Sequence, residues 1–323
     1  MKVKIIDMKI KTIQCKSALT KSGIGGVDYV INPYVGCAHA CVYCYADFMR
    51  RFTGHENDTW GAFVDVKANI VERLRRELLP GAGRKSRKSA GSPTGSPAGP
   101  PASTLHLPGL FQPDIRYRGE IMLSSVTDPY QPLEARWRLT RSCLEVLREA
   151  GLEAERSIIS ILTKSELVTR DIDILKEFQE CRVGLTITTD RDDVAKSFEP
   201  GASPPSRRLA ALEILNKEGI KTWAFMGPVL PFFSDKFDEM ERLFGAVAAT
   251  GTREILVDSM NFYPSVKHRV GRLFSRLDES GKYPGAASYL RKVFQDLEGW
   301  KIDIKNKASE AGAKCGLRVR FAF

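Results

Sequence analysis

Asn32–Ala46 reads NPYVGCAHACVYCYA. Its three cysteines, Cys37, Cys41 and Cys44, stand at C-x3-C-x2-C spacing. Three thiolates this close in sequence can grip three corners of a cubic iron–sulfur cluster and leave the fourth iron open to a small molecule. A structural zinc instead wants four closed ligands, usually as two closely spaced cysteine pairs. One pair is missing here, so zinc would need His39 or the isolated Cys15 as its fourth ligand. On spacing alone both metal readings stand. Gly36, directly before Cys37, allows the backbone to turn tightly into the loop.

The surrounding chain suits a protein that works among polyanions. It has 323 residues, a net charge of +10 and 43% hydrophobic residues, enough for a full core in one large or two modest domains. The basic excess favours a nucleic-acid partner, DNA or tRNA, although basic residues spread over helix faces would also only keep the chain soluble. No apolar run reaches the length of about 18 residues that a membrane span needs, so no membrane partner is expected. The start, MKVKIIDMKIKTIQ, alternates lysine with apolar residues, which reads as a strand or hairpin over 1–26 and not as a secretory signal. Seven cysteines with no paired spacing suit a reducing cytoplasm.

Working outward from the cysteines, six short β-rich runs alternate with helical patterns. They lie near Tyr29–Ile31, Ile121–Ser125, Ile158–Thr163, Val183–Thr188, Thr222–Val229 and Glu254–Val257. The helical stripes include Val66, Ile70, Val71, Leu74 and Leu78, then Leu139, Cys143, Leu144 and Leu147, then Leu209, Leu212, Ile214 and Leu215. Strand alternating with helix predicts a parallel sheet with helices outside, which six units can curl into an open barrel. Reacting groups then gather at the C-terminal strand ends. Gly81–Thr104, GAGRKSRKSAGSPTGSPAGPPAST, has no acidic or large apolar residue and reads as a flexible insertion. After Pro264 the pattern becomes mainly helical, giving a C-terminal extension over 265–323 that ends in a strand from Leu317.

The motif resembles that of the radical S-adenosylmethionine superfamily, C-x3-C-x-aromatic-C, with Tyr43 as the aromatic residue. Together with Ser124–Glu134, SSVTDPYQPLE, it is similar to the branch related to spore photoproduct lyase. The resemblance covers Tyr29 to Pro264. It implies a partial (β/α)6 barrel over 27–264, with a [4Fe-4S] cluster on Cys37, Cys41 and Cys44 in the loop after the first barrel strand. It also implies reductive cleavage of S-adenosylmethionine at the open iron, releasing a 5′-deoxyadenosyl radical that takes hydrogen from a substrate. An external one-electron reductant such as ferredoxin or flavodoxin follows from that chemistry. The cofactor supplies the hard step and the protein supplies placement.

Candidate cofactor contacts follow from both sources. Ser125, Thr127 and Asp128 carry hydroxyls and a carboxylate suited to an ammonium group and a ribose, yet Asp128-Pro129 is also an ordinary capped turn. Lys164 follows a strand directly; in the lyase branch a lysine at the matching place binds the methionyl carboxylate. Thr186 and Thr188 are expected to face the barrel interior together, as ribose contacts or as satisfied core hydroxyls. Phe225–Pro231 packs an adenine or simply ends a strand, and either Arg207 or Arg208 reaches an anion. One departure stands out. Lyases of this branch carry a hydrogen-donor cysteine where this chain has Ser124 or Ser125, so the thymine-dimer reaction of the namesake is in doubt. Cys143 reads as core, and His55 and His268 as surface residues. The remaining alternative is a non-enzymatic nucleic-acid-binding protein stapled by zinc or an iron–sulfur cluster.

Overall fold

The structure is a computed structural model that describes residues 8–79, 119–151 and 157–323. The expected flexible insertion Gly81–Thr104 lies outside the described residues. Strands are β1 (Lys9–Ile13), β2 (Leu19–Lys21), β3 (Tyr29–Ile31), β4 (Tyr34–Val35), β5 (Phe63–Lys67), β6 (Glu120–Leu123), β7 (Ile158–Thr163), β8 (Glu180–Thr186), β9 (Lys221–Met226), β10 (Glu254–Val257) and β11 (Arg318–Phe321). The main sheet runs β11-β10-β9-β8-β7-β6-β3-β2. Every pair from β3 to β11 is parallel, and only β2 is antiparallel to its neighbour. β2 and β11 stay unpaired with each other, so the sheet curls without closing and the fold is a partial barrel.

The six sequence runs become β3, β6, β7, β8, β9 and β10. Along them alternate residues point to opposite faces. Ile121, Leu123, Ile159, Ile161, Val183, Leu185, Ala224, Met226, Ile255 and Val257 are buried on the helix-covered face. They meet helix stripes such as Leu144 and Leu147 in Leu139–Glu149, Leu212 and Leu215 in Pro205–Lys217, and Phe244 and Val247 in Phe237–Ala249. Met122, Ser160, Leu162, Phe225 and Leu256 face the other way and line a cavity. The parallel strands are therefore shielded on one face and hollow on the other.

Two elements differ from expectation. Val66 belongs to a strand, and the helix begins only at Ile70. Phe63-Val64-Asp65-Val66 is β-branched and aromatic, and it finds β1 as a parallel partner and β4 as an antiparallel one. β11 is a seventh parallel strand added beside β10, so the C-terminal segment contributes to the main sheet as well as supplying helices Pro264–Glu279, Ala286–Gln295 and Leu297–Cys315.

His55 is not a surface residue. It is 2% exposed, stacks on Phe63 at 3.8 Å between ring centroids, and holds Asp58 Oδ2 through Nδ1 at 2.6 Å and Asp65 Oδ2 through Nε2 at 2.9 Å. Lys9 at the start of β1 pairs with the same Asp58. Asp58 stands three residues from His55 and Asp65 ten, on β5, so the second partner was invisible to a reading of near neighbours. Burial alone would lower the imidazole pKa, but its hydrogen bonds to the carboxylates of Asp58 and then Asp65 more than offset that and raise it. A raised folded pKa gives stability that is full below the unfolded value near 6.5 and lost as pH rises through the folded value. Urea melts at about pH 6 and about pH 9 should therefore show the unaltered chain weaker at the higher pH, with a smaller difference in His55→Gln. His55→Ala leaves Asp58 its Lys9 partner but strands the buried Asp65, and should lower the urea midpoint near pH 6 more than His55→Gln does.

Candidate active site at the mouth of the partial barrel

β4 delivers the chain into the cysteine loop through Gly36, whose φ is +80°. A Cβ there would come 2.5 Å from the Phe63 carbonyl oxygen, so only glycine fits this approach to β5. Cys37, Cys41 and Cys44 then face one cavity of about 900 Å³ that occupies the hollow side of the sheet. Cys37 and Cys41 are buried and Cys44 half-buried, and none is in a disulfide.

The loop is fixed from several sides. Thr127 Oγ1 donates to the Gly36 carbonyl at 2.6 Å, and Gln131, fully buried, accepts the Ala38 N–H at 2.9 Å. The Val42 N–H bonds the Phe198 carbonyl and the Gly201 N–H bonds the His39 carbonyl. A Cβ on Gly201 would lie 2.0 Å from the Ala38 carbonyl oxygen. From the C-terminal segment, Arg269 donates to the carbonyls of Val42 and Cys44 at 2.9 Å each and pairs with Asp47 at 2.6 Å. These contacts leave few loop carbonyls free and aim the thiols inward.

Asp128 is fully engaged by the protein. Oδ1 accepts the Tyr130 N–H at 2.9 Å and the Thr163 hydroxyl at 2.6 Å, while Oδ2 accepts the Lys164 N–H at 2.8 Å and stands 3.3 Å from His39 Nδ1. Burial pushes its pKa up, but His39 and these hydrogen bonds hold it down at about 2. The structure thus makes Asp128 and Thr127 struts that join β6, β7 and the cysteine loop. Ser125 lines the cavity; its N–H bonds Asn32 Oδ1 at 2.9 Å and its carbonyl accepts the Tyr45 hydroxyl. Ser124 has φ +68°, is 2% exposed, and its hydroxyl has no hydrogen-bond partner.

Lys164 comes off the end of β7 with its ammonium 5.7 Å from the Tyr43 ring centroid. Burial would lower its pKa, but Cys41, then Glu199 and Asp128, raise it, so it stays cationic. Tyr43 donates its hydroxyl to Glu199, which also accepts from Thr188 at 3.1 Å and pairs with the buried Arg208. Burial pushes the Glu199 pKa up; Arg208 and then Lys164 outweigh it and hold it below the usual carboxylate range. Arg208 therefore braces Tyr43 from behind, and Arg207 is exposed on Glu166 at 3.2 Å. Neither arginine lines the cavity. Thr186 lines the cavity, but Thr188 does not: β8 ends at Thr186, the two-residue alternation stops, and the Thr188 hydroxyl turns to Glu199. Phe225 and Trp223 form a tilted aromatic shelf, ring centroids 6.1 Å apart, over Gly184, where a Cβ would collide with the indole.

Three thiols facing one cavity are a donor set that suits an iron–sulfur cluster. Among the described residues no three His, Cys, Asp or Glu side chains converge closely enough to hold one metal ion. A cube holds its cysteines on separate irons, farther apart than the ligands of one zinc. Cys15, the spare ligand for zinc, lies elsewhere, its N–H on Asn69, and His39 turns Nδ1 to Asp128. Burial, foremost, pushes all three motif thiols up in pKa, Cys41 to about 12, so they need a cationic metal to hold them as thiolates.

The cysteines, Tyr43 and Lys164, all named from the sequence, come together in the wall of one cavity. Sequence reading missed Asn32, Gln131 and Arg269, which act on backbone groups and carry no spacing signal. It left Glu199 in a turn motif without seeing its tie to Tyr43.

No protein-family model matches the chain. An uncharacterized protein of Methanocaldococcus jannaschii is 33% identical over 228 residues, 71% of this chain and 70% of that protein. A protein of Pseudomonas phage M6 named radical SAM Nalpha-GlyT isomerase is 26% identical over 227 residues, 70% of this chain and 38% of that one. Spore photoproduct lyase complexed with dinucleoside spore photoproduct superposes with a TM-score of 0.59 over 97% of this chain and 82% of the lyase, at 16% identity. The chain belongs to one family with the Methanocaldococcus jannaschii protein, is related in sequence to a phage protein named as a radical SAM enzyme, and shares its partial-barrel fold with spore photoproduct lyase.

Proposed function

We propose that the chain binds a [4Fe-4S] cluster on Cys37, Cys41 and Cys44 and uses S-adenosylmethionine to take hydrogen from a substrate held in the cavity. The observation that carries this reading is one cavity, at the C-terminal ends of parallel strands, lined by the three thiols and by Lys164. When bound, the cluster supplies the electron that cleaves S-adenosylmethionine to methionine and a hydrogen-abstracting 5′-deoxyadenosyl group. The chain's own residues bind, orient and shield. Lys164 offers a fixed positive charge for the methionyl carboxylate. Ser125 and Thr186 line the wall where a ribose would lie, and the Trp223–Phe225 shelf offers a flat face to a base. Asp128, Thr127 and Thr188 serve by holding the loop and Tyr43.

The substrate class we favour is a nucleic acid, DNA or tRNA. The far end of the cavity, at the strand starts, carries Arg182, Lys221, Arg318 and Arg320 alongside Glu120 and Glu254. Net charge is +10. Spore photoproduct lyase is itself described in complex with a dinucleoside. Repair of that photoproduct is not part of the proposal, because an O–H bond at Ser124 is too strong to give up hydrogen as a thiol does.

Anaerobic reconstitution with iron and sulfide should load about four irons on the unaltered chain and give 5′-deoxyadenosine with dithionite and S-adenosylmethionine, stimulated by DNA or tRNA. A colourless protein binding one zinc would overturn the reading. Cys41→Ala should lose both cluster and product while keeping its melting behaviour. Lys164→Ala should raise the concentration of S-adenosylmethionine needed about tenfold or more, with partial recovery in Lys164→Arg. Glu199→Gln leaves Arg208 buried without its counter-charge and should cost about 3–5 kcal/mol in denaturant melts.

A further inference from the structure

Segment Tyr45–Phe52 follows the third motif cysteine without a gap and turns its aromatic rings outward. Phe52 is 75% exposed, and Tyr45 and Phe48 are each 45% exposed. The ring centroids lie 6.4 Å apart for Tyr45–Phe48 and 6.2 Å for Phe48–Phe52, so the three form one continuous patch. A single exposed apolar side chain needs no explanation, but three aromatic rings in mutual contact at the surface mark a binding face. Arg51 is exposed on the same segment. Its one acid, Asp47, is buried and neutralised by Arg50 and Arg269. On the flanking helix Pro264–Glu279, Arg272 is exposed one turn beyond Arg269. The patch thus has an apolar centre, a basic rim, and a chain of net charge +10 behind it.

Ring geometry separates a protein occupant from a nucleic acid. Bases stack on flat, accessible ring faces. Tyr45 and Phe48 lie within 25° of parallel, but the most exposed ring, Phe52, meets Phe48 edge-on at 77° and breaks the patch into a knob in place of one flat shelf. Aromatic knobs with arginine beside them are typical anchors of protein interfaces. Position narrows the partner further. One peptide bond separates the patch from Cys44, whose carbonyl is gripped by Arg269. The basic far end of the cavity lies at the opposite ends of the strands, so a partner on the patch leaves that entrance open.

We propose that the exposed face of Tyr45–Phe52 docks an acidic one-electron carrier protein, with Phe48 and Phe52 as the apolar anchor and Arg51 and Arg272 facing the carrier's carboxylates. This rests on the cluster reading above. In the docked pair one electron leaves the carrier and is taken up at the metal site, and no bond forms or breaks.

The test compares the unaltered chain with the double variant Phe48→Ser, Phe52→Ser and with Arg51→Glu, using oxidised flavodoxin and a bacterial ferredoxin as probes. Calorimetry on the chain as purified should show binding of at least one carrier, weakened about tenfold or more by the double variant. Arg51→Glu should weaken it at low salt, with the difference shrinking as salt is added. After reconstitution, the double variant should make 5′-deoxyadenosine with dithionite at the unaltered rate, yet need more reduced carrier for half-maximal product. The proposal is overturned if the unaltered chain binds neither carrier, or if the double variant binds as tightly as the unaltered chain. It is equally overturned if the variant loses product with dithionite as much as with carrier, or if it loses affinity for a single-stranded oligonucleotide instead. If the unaltered chain makes no product even with dithionite, the cluster reading fails, and the calorimetric comparison alone decides the docking surface.

Discussion

The Asp128 carboxylate is the joint on which the site depends. It takes a hydroxyl from the end of β7, the N–H of Lys164, the N–H of Tyr130 and the His39 ring. Those four groups come from the end of β7, a turn and the cysteine loop. A buried carboxylate with every lone pair used is costly to disturb, because each donor it releases is left without water to replace it. The carboxylate therefore fixes the distance between the loop that carries the thiols and the strand that carries the ammonium group. Lys164 cannot drift relative to Cys41 without breaking its own backbone bond to Asp128.

A second layer holds the aromatic residue of the motif. Tyr43, Glu199, Thr188 and Arg208 form a closed polar group behind the loop, and Lys164 adds its charge from the front. The pairing is nearly inaccessible to solvent, with both side chains at or below 1% exposure. Such a pair contributes little as a simple attraction, since desolvating both ions is expensive. Its value here is geometric: it leaves Tyr43 one orientation. Arg269 does the equivalent for Cys44 from the C-terminal helices, so sequence-distant parts of the chain meet at the same short loop.

Legibility in the sequence followed the physical nature of each signal. The parallel sheet could be read because buried strands are continuous apolar runs, and β3, β7 and β10 begin and end where those runs do. Val66 was misplaced because a 3.6-residue stripe and a strand entering a helix share the same apolar residues over one turn. The cysteines were legible because spacing itself is the chemistry. Thr127 and Asp128 were legible as candidate contacts and both line the cavity, where the Thr127 hydroxyl bonds the Gly36 carbonyl and the Asp128 carboxylate ties the end of β7 to the His39 ring. Composition cannot tell a side chain that binds a ligand from one that holds the residue that does. His55 escaped because its two carboxylate partners only become a pair when β5 folds back beside it. Gln131, Asn32 and Arg269 escaped because a hydrogen bond to a backbone group leaves no pattern in either partner's neighbours.

β11 carries a consequence for how the chain reaches its fold. Its only partner, β10, is followed by three helices before β11 appears, so the two strands meet by closing a long loop. Closure of that kind is slow compared with the helices forming locally. Until it happens, β10 presents a bare row of amide and carbonyl groups to whatever strand comes near. In the folded chain the helix Leu297–Cys315 packs on Phe237–Ala249 and runs straight into β11, so the element that covers this end of the sheet also carries in the strand that seals its edge.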